Sequence, residues 1–152
     1  MGDQIWMAEN LNFDVSGSAC YNNNSSNCVT YGRLYNWVTA LTVCPPGWHL
    51  PSDAEWTALT DHAGSNAGTK LKASSGWDYD GNGTDDFGFS ALPGGYGSSG
   101  YFIIVGYGGL WWSAAEYDAS NAWFRDMYYN NSDVYRIGGS KEYLYSVRCV
   151  RD

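Results

Sequence analysis

Cys44-Pro45-Pro46-Gly47-Trp48-His49-Leu50-Pro51-Ser52-Asp53-Ala54-Glu55-Trp56 is the stretch that decides the fold class. It reads as a helix stop followed by a helix start. Pro45-Pro46-Gly47 cannot continue a helix, because proline lacks the backbone N–H and its ring crowds the preceding turn. Ser52 and Glu55 then make a capping box, in which each side chain accepts from the other's unpaired backbone N–H. The spacing predicts a helix from Ser52, with Trp56 and Leu59 facing the core and Gly64 as its stop. Backward from the prolines, Leu34, Trp37, Val38 and Leu41 fall at i, i+3, i+4 and i+7 within Gly32 to Val43, the apolar stripe of an earlier helix.

Outside these two helices the helical period disappears. Ser16 to Asn27 is rich in Ser, Asn and Gly and reads as a loop, and Gln4 to Met7 as a short strand. After Gly76 the predicted strands are Phe87 to Leu92, Tyr101 to Gly106, Leu110 to Ser113, Ala122 to Tyr129, Val134 to Ile137 and Tyr145 to Arg151, separated by Gly, Asn and Asp clusters. Helices early and antiparallel strands late predict one α+β domain over residues 1–152, with no repeat and no linker. At 152 residues the chain suits a single core, and 8 Trp and 13 Tyr supply the area to bury.

The chain is acidic, with 8 Lys plus Arg against 16 Asp plus Glu and a net charge of -8. Such a surface repels phosphate backbones, so nucleic acid is not an expected partner. The longest aliphatic run, Phe102 to Val105, is strand-sized, so no direct membrane insertion is expected. Residues 1 to 15 lack the basic start and apolar stretch of a secretory signal; the chain reads as a trimmed piece, which makes that absence uninformative. Cys20, Cys28, Cys44 and Cys149 lack the C-x-x-C spacing of zinc sites. Their even number favours two disulfides and an oxidising compartment over four reduced thiols. Of three possible pairings, the favoured one joins Cys20 to Cys28 across a short polar loop and Cys44 to Cys149, tying the first half to the last strand.

Six ordered motifs carry a resemblance. They are Gln4-Ile5-Trp6-Met7-Ala8-Glu9-Asn10-Leu11, Gly32-Arg33-Leu34-Tyr35-Asn36-Trp37, Cys44 to Ser52 with Glu55-Trp56, Phe87 to Tyr96, Trp111-Trp112-Ser113, and Ser146-Val147-Arg148-Cys149-Val150. Together they resemble the Fibrobacter succinogenes major paralogous domain over nearly the whole chain. That family is similar to the formylglycine-generating-enzyme branch of the C-type-lectin fold. The resemblance implies two helices packed on small twisted antiparallel sheets, with the N and C termini close. Some proteins of this fold are variable proteins of diversity-generating retroelements, in which adenine mutagenesis yields Asn, Tyr, Ser and Asp codons. Between Tyr117 and Tyr145, 15 of 29 positions are one of these four. Antibody loops use the same palette of rigid amphipathic rings and adaptable hydrogen bonders. The plain alternative is a Tyr- and Asn-rich hairpin surface with no variable history.

These readings predict a binding module, not an enzyme, on the outside of a cell or virion and monomeric. Its C-terminal strands and turns would present Tyr117, Asp118, Asp126, Tyr128, Tyr135, Ile137, Ser140, Glu142 and Tyr143 to a protein or glycan on another cell or particle. The other expectation is a calcium-dependent carbohydrate-binding or adhesion domain of a bacterial surface protein. Asp78, Asp80, Asn82, Thr84 and Asp86 place oxygen side chains at alternate positions, as a lone Ca²⁺ loop requires, although Phe89 stands where an EF-hand has its bidentate Glu. The plain alternative is a solvated Asp/Gly/Asn turn. The triplets Glu-Pro-Asn and Trp-Asn-Asp of many sugar-binding C-type lectins are absent. Gly95 to Gly100 spells G-x-G-x-x-G, but a β-branched run follows in place of a helix, so it reads as a turn. His49 reads as a hydrogen-bonded structural residue and His62 as a helix-end residue suited to the dipole. The oxidase relatives use a C-terminal cysteine pair, and this chain has Cys149 alone there.

Overall fold

The computed structural model describes residues 1–152. The capping box forms: Ser52 Oγ accepts from Glu55 N–H, and the Glu55 carboxylate accepts from Ser52 N–H at 2.8 Å. It opens α3 (Asp53–Ala63), which ends at Gly64 with φ +70° and buries Trp56 and Leu59. Three shorter helices accompany it: α1 (Ser25–Tyr31), α2 (Trp37–Ala40) and α4 (Ala67–Leu71). The molecule is α+β, with four α-helices where the resemblance implies two.

Strands β1 (Ser18–Ala19), β2 (Leu34–Tyr35), β6 (Gly108–Glu116), β7 (Asn121–Tyr128), β8 (Tyr135–Ser140) and β9 (Tyr145–Ser146) form one sheet in the order β1-β2-β9-β6-β7-β8. Its pairs are antiparallel except β6 with β9. Strand β3 (Trp48–His49) pairs with β10 (Val150–Arg151), and β4 (Tyr96–Ser98) with β5 (Tyr101–Ile103). That second hairpin is what G-x-G-x-x-G encodes: Ser99 and Gly100 both take positive φ, as a two-residue hairpin turn demands.

Several expected elements are different. Gly32 to Val43 is not one helix. Leu34 and Tyr35 are buried strand residues, paired with Ser18 to Ala19 and with Tyr145 to Ser146. Only one helical turn follows, capped by Asn36, which accepts from Thr39 N–H. Val38 and Leu41 of the supposed stripe are 66% and 41% exposed. The loop at Ser16 to Asn27 holds β1 and the start of α1, because Asn24 caps a helix by accepting from Ser26 N–H. Phe87 to Leu92 contributes a single bridge, Lys72 to Ala91, and Phe89 plugs the core. Gln4 to Met7 is likewise one bridge, Trp6 to Val150. Tyr145 to Arg151 splits into β9 and β10 in different sheets.

The favoured disulfides are both present, Cys20–Cys28 and Cys44–Cys149. The chain ends are joined as well: Met7 N–H donates to Cys149 O, and Arg151 N–H to Ile5 O. Two cores flank the large sheet. Trp6, Trp56, Phe89 and Trp111 fill one, and Tyr35, Trp37, Trp112, Phe124 and Tyr145 the other. Adjacent Trp111 and Trp112 fall on opposite sides because strand side chains alternate. Each core indole N–H has an acceptor: Trp6 on Gln4 Oε1, Trp37 on Ser113 O, Trp56 on Trp112 O, Trp77 on Ala91 O, Trp111 on Asn10 Oδ1, and Trp112 on Tyr35 O.

Three of the motifs meet at Arg148, which is 1% exposed. Its Nε and Nη2 donate to Asn10 Oδ1 at 3.0 and 2.8 Å, and Nη1 donates to the carbonyls of Met7, Ala8 and Phe89. The guanidinium lies 4.4 Å from the Phe89 ring centre. No carboxylate bonds to it, and burial pushes its pKa down to about 9.

Candidate functional site

Strands β6, β7 and β8 form the half of the sheet that displays the C-terminal segment. Alternation along Asn121–Tyr128 sends Trp123, Arg125 and Met127 to one face and Ala122, Phe124, Asp126 and Tyr128 to the other. Register completes the faces. Arg136 lies opposite Arg125 and Gly138 opposite Trp123, whereas Ile137 lies opposite Phe124 and Tyr135 opposite Asp126.

On the α3 face, Arg125 Nη1 donates to Asp53 Oδ1 at 2.8 Å, and Arg136 Nε donates to both Asp53 oxygens at 3.0 and 2.9 Å. Burial opposes the Asp53 charge, but the hydrogen bonds from Arg136 and Arg125 outweigh it and hold its pKa below the usual value. Arg136 stacks 3.3 Å over the Trp123 ring, and Tyr117 meets Trp123 edge-on at 4.7 Å. Tyr117 thus covers Gly138, where a Cβ would lie 3.0 Å from its ring and press on it. This ladder pins the edge strand to the helix.

The opposite face carries the aromatic group. Tyr135 and Ile137 on β8 are both 42% exposed. Tyr96 of β4 reaches Tyr143 at 6.0 Å and Tyr145 at 5.7 Å between ring centres, and Tyr143 lies 6.1 Å from Tyr145. Tyr145 is buried against Trp112 at 4.2 Å and Phe124 at 4.7 Å, so the group has a rigid floor.

The expected ligand patch is therefore divided. Asp126, Tyr128, Tyr135, Ile137 and Tyr143 belong to one face, and Tyr117 to the other. Ser140 pairs with Asn121 at the far end of β8. Asp118 serves the β6–β7 turn, accepting from Ser120 and Asn121 N–H, and Glu142 is exposed in the turn before β9. Asp126 is a correction: it shares a face with Tyr135 and Ile137 but is only 2% exposed, because its strand lies between β6 and β8 and neighbouring side chains cover it. Tyr96, Trp123 and Arg136 were missed by the sequence reading. For Trp123 the signal was present in the alternation of residues 122–128; Tyr96 joins only through tertiary packing.

Of the expected calcium loop, Asp78, Asp80 and Asp86 form no three-carboxylate cluster of the kind that holds a metal. Asn82 Oδ1 is occupied by Trp77 N–H, and Asp85, omitted from the alternate set, accepts from Ser90 N–H and Oγ. Gly83 is needed for close packing, since a Cβ there would overlap the Lys72 and Thr69 carbonyls. A different aromatic group sits beside this loop: Tyr79, Tyr107 and Tyr129 have ring centres 5.6 Å apart in each pair.

His49 links β10 to α3, with Nδ1 2.6 Å from Asp152 and Nε2 2.9 Å from Glu55. Burial works against its charge, but these carboxylates prevail and raise its pKa above the ordinary value. His62 lies in the last turn of α3, its ring 5.1 Å from Phe87. Cys149 is bonded to Cys44, and the chain has no free thiol.

A family model described as the Fibrobacter succinogenes major domain matches residues 1–151. No curated protein and no solved structure gives a significant match.

Proposed function

Because the chain belongs to the Fibrobacter succinogenes major domain family, and because its edge strand carries large exposed side chains over a stiff sheet, we propose that it is a binding module of C-type-lectin-like fold. It recognises a protein or glycan on another cell or particle, from the outside of a cell or virion. The observation that carries this is the pair Tyr135 and Ile137, each 42% exposed on the edge strand. Edge strands are usually short or charged, and adjacent large apolar side chains exposed on one face of such a strand favour an interaction surface. Rigid rings behind them supply contact area at low entropic cost. Two disulfides suit an oxidising compartment, and no helix is long and apolar enough to cross a membrane. The bridge between Trp6 and Val150 suits a lectin-like arrangement of the chain ends. The absence of a free thiol favours binding over oxidase chemistry.

The retroelement reading extends this proposal. Asp118, Asn130, Asp133 and Tyr135 are exposed, so their codons can change without disturbing either core. A near-identical template repeat beside a reverse transcriptase gene, with mismatches confined to adenines, is the genomic signature to look for.

Binding to arrays of extracellular proteins and glycans, with and without chelator, tests the function. The wild-type protein is expected to mark a defined probe. Ile137→Asp is expected to lose it while melting at an unchanged temperature. Retention by Ile137→Asp, or no probe marked by the wild type, overturns the reading. Loss caused by chelator alone points to the calcium-dependent alternative.

A further inference from the structure

Across the whole chain one buried side-chain polar atom lacks a hydrogen-bond partner, Asp126 Oδ1. Folded interiors leave few such atoms, and each calls for a cause. The residue is 2% exposed in the middle of the sheet. Its neighbours across the strands are Leu110 and Tyr135, and Tyr128 follows two positions on. Tyr96 and Tyr143 stand over the buried Tyr145 on the same side. A carboxylate is thus set among tyrosine rings.

No cation of the chain serves it. Arg125, next in sequence, points to the opposite face and bonds to Asp53, as does Arg136. Lys72 donates to the Tyr128 and Asn131 carbonyls, Lys70 to Ala63 O, and Lys141 pairs with Glu116. Arg33 pairs with Asp14, Arg148 is held by Asn10, and Arg151 lies on β10 in the separate two-stranded sheet. Tyrosine faces attract cations, and a carboxylate gives a charge-assisted hydrogen bond to an ammonium donor. The net charge of -8 draws positive ligands toward the molecule.

We propose, building on the binding-face reading above, that the rings of Tyr96, Tyr128, Tyr135 and Tyr143, which are half-exposed or exposed over the closed carboxylate, move aside to let Asp126 receive an alkylammonium group, carried either by a lysine side chain of a partner or by a free amine. A single sealed acceptor oxygen suits a point-charge ammonium better than the planar fork of a guanidinium. A sugar hydroxyl would satisfy the oxygen but leave its charge unbalanced. Burial pushes the free carboxyl up to about 6, the cost of a charge awaiting a partner.

An amide NMR titration near neutral pH tests the site with n-butylammonium, tetramethylammonium and neutral n-butanol. Saturable shifts around residues 124–128 are expected with the amines and not with the alcohol. Asp126→Asn, nearly isosteric, is expected to weaken amine binding by about tenfold or more, the scale of one charge-assisted hydrogen bond. Tyr135→Leu weakens it severalfold, and both variants keep cooperative melts. Nα-acetyl-lysine N-methylamide and a short lysine peptide distinguish the sources: tighter binding than butylammonium identifies a protein lysine, and equal or weaker binding a free amine. The proposal falls if alcohol and amine act alike, if the wild type shows no saturable shift, or if Asp126→Asn binds as the wild type does. Loss of the array probe by Ile137→Asp with no amine effect removes this site and leaves the binding face standing.

Discussion

Asp126 and Arg148 are two buried charges without an ionic partner, and they are treated oppositely. Five hydrogen bonds surround the Arg148 guanidinium, so its burial organises Asn10, Phe89 and the N-terminal segment. Asp126 has no such shell around Oδ1. Burial raises its folded pKa from the ordinary 3.8 to about 6. The folded state therefore holds this proton more firmly than the unfolded chain does. The resulting contribution is present below pH 3.8 and is lost as pH rises to about 6. Urea melts across this range are expected to show the wild type losing stability relative to Asp126→Asn up to about pH 6, with a constant difference above it. A flat difference throughout would mean that the carboxyl is not desolvated. None of this was legible in the sequence, where Asp126 reads as one more polar residue of a Tyr- and Asp-rich strand.

Elements whose signals lie within one turn of chain formed as read. The α3 start depends on Ser52 and Glu55 alone, and the turn read within Gly95 to Gly100 closes on Ser99 and Gly100, although the strand Tyr96–Ser98 that precedes it was not expected. Elements decided by distant partners did not. Leu34 and Tyr35 have helical spacing to Trp37, yet pairing with Tyr145 and Ser146 makes them strand. Asn36 then postpones the helix to Trp37 by capping it. The capping box gives the element-scale prediction: Ser52→Ala removes the acceptor for Glu55 N–H and is expected to destabilise the protein by about 1 kcal/mol. Thermal melts measure it, and Ser52→Asp, which keeps an acceptor, should recover most of the loss.

At the scale of the molecule, a covalent tie and a buried hub hold the termini to the centre. Cys44–Cys149 spans a sequence separation of 105 and Cys20–Cys28 one of 8. In the chain-entropy account, opening the longer loop costs about 5 kcal/mol and the shorter about 2.5 kcal/mol. Replacing Cys44 and Cys149 with Ala should therefore lower the denaturation midpoint more than replacing Cys20 and Cys28, as denaturant melts of the two double variants will register. The sequence by itself determined the α+β class, the start of α3 and a turn at Gly95 to Gly100, because each rests on neighbouring residues; among three cysteine pairings it favoured the one that the structure contains. Tertiary structure alone decided which face each C-terminal side chain occupies, dividing the expected patch and burying Asp126. The reason is physical: a strand's side-chain direction is set by register with its partner strands, and a shift of one residue would turn every side chain over.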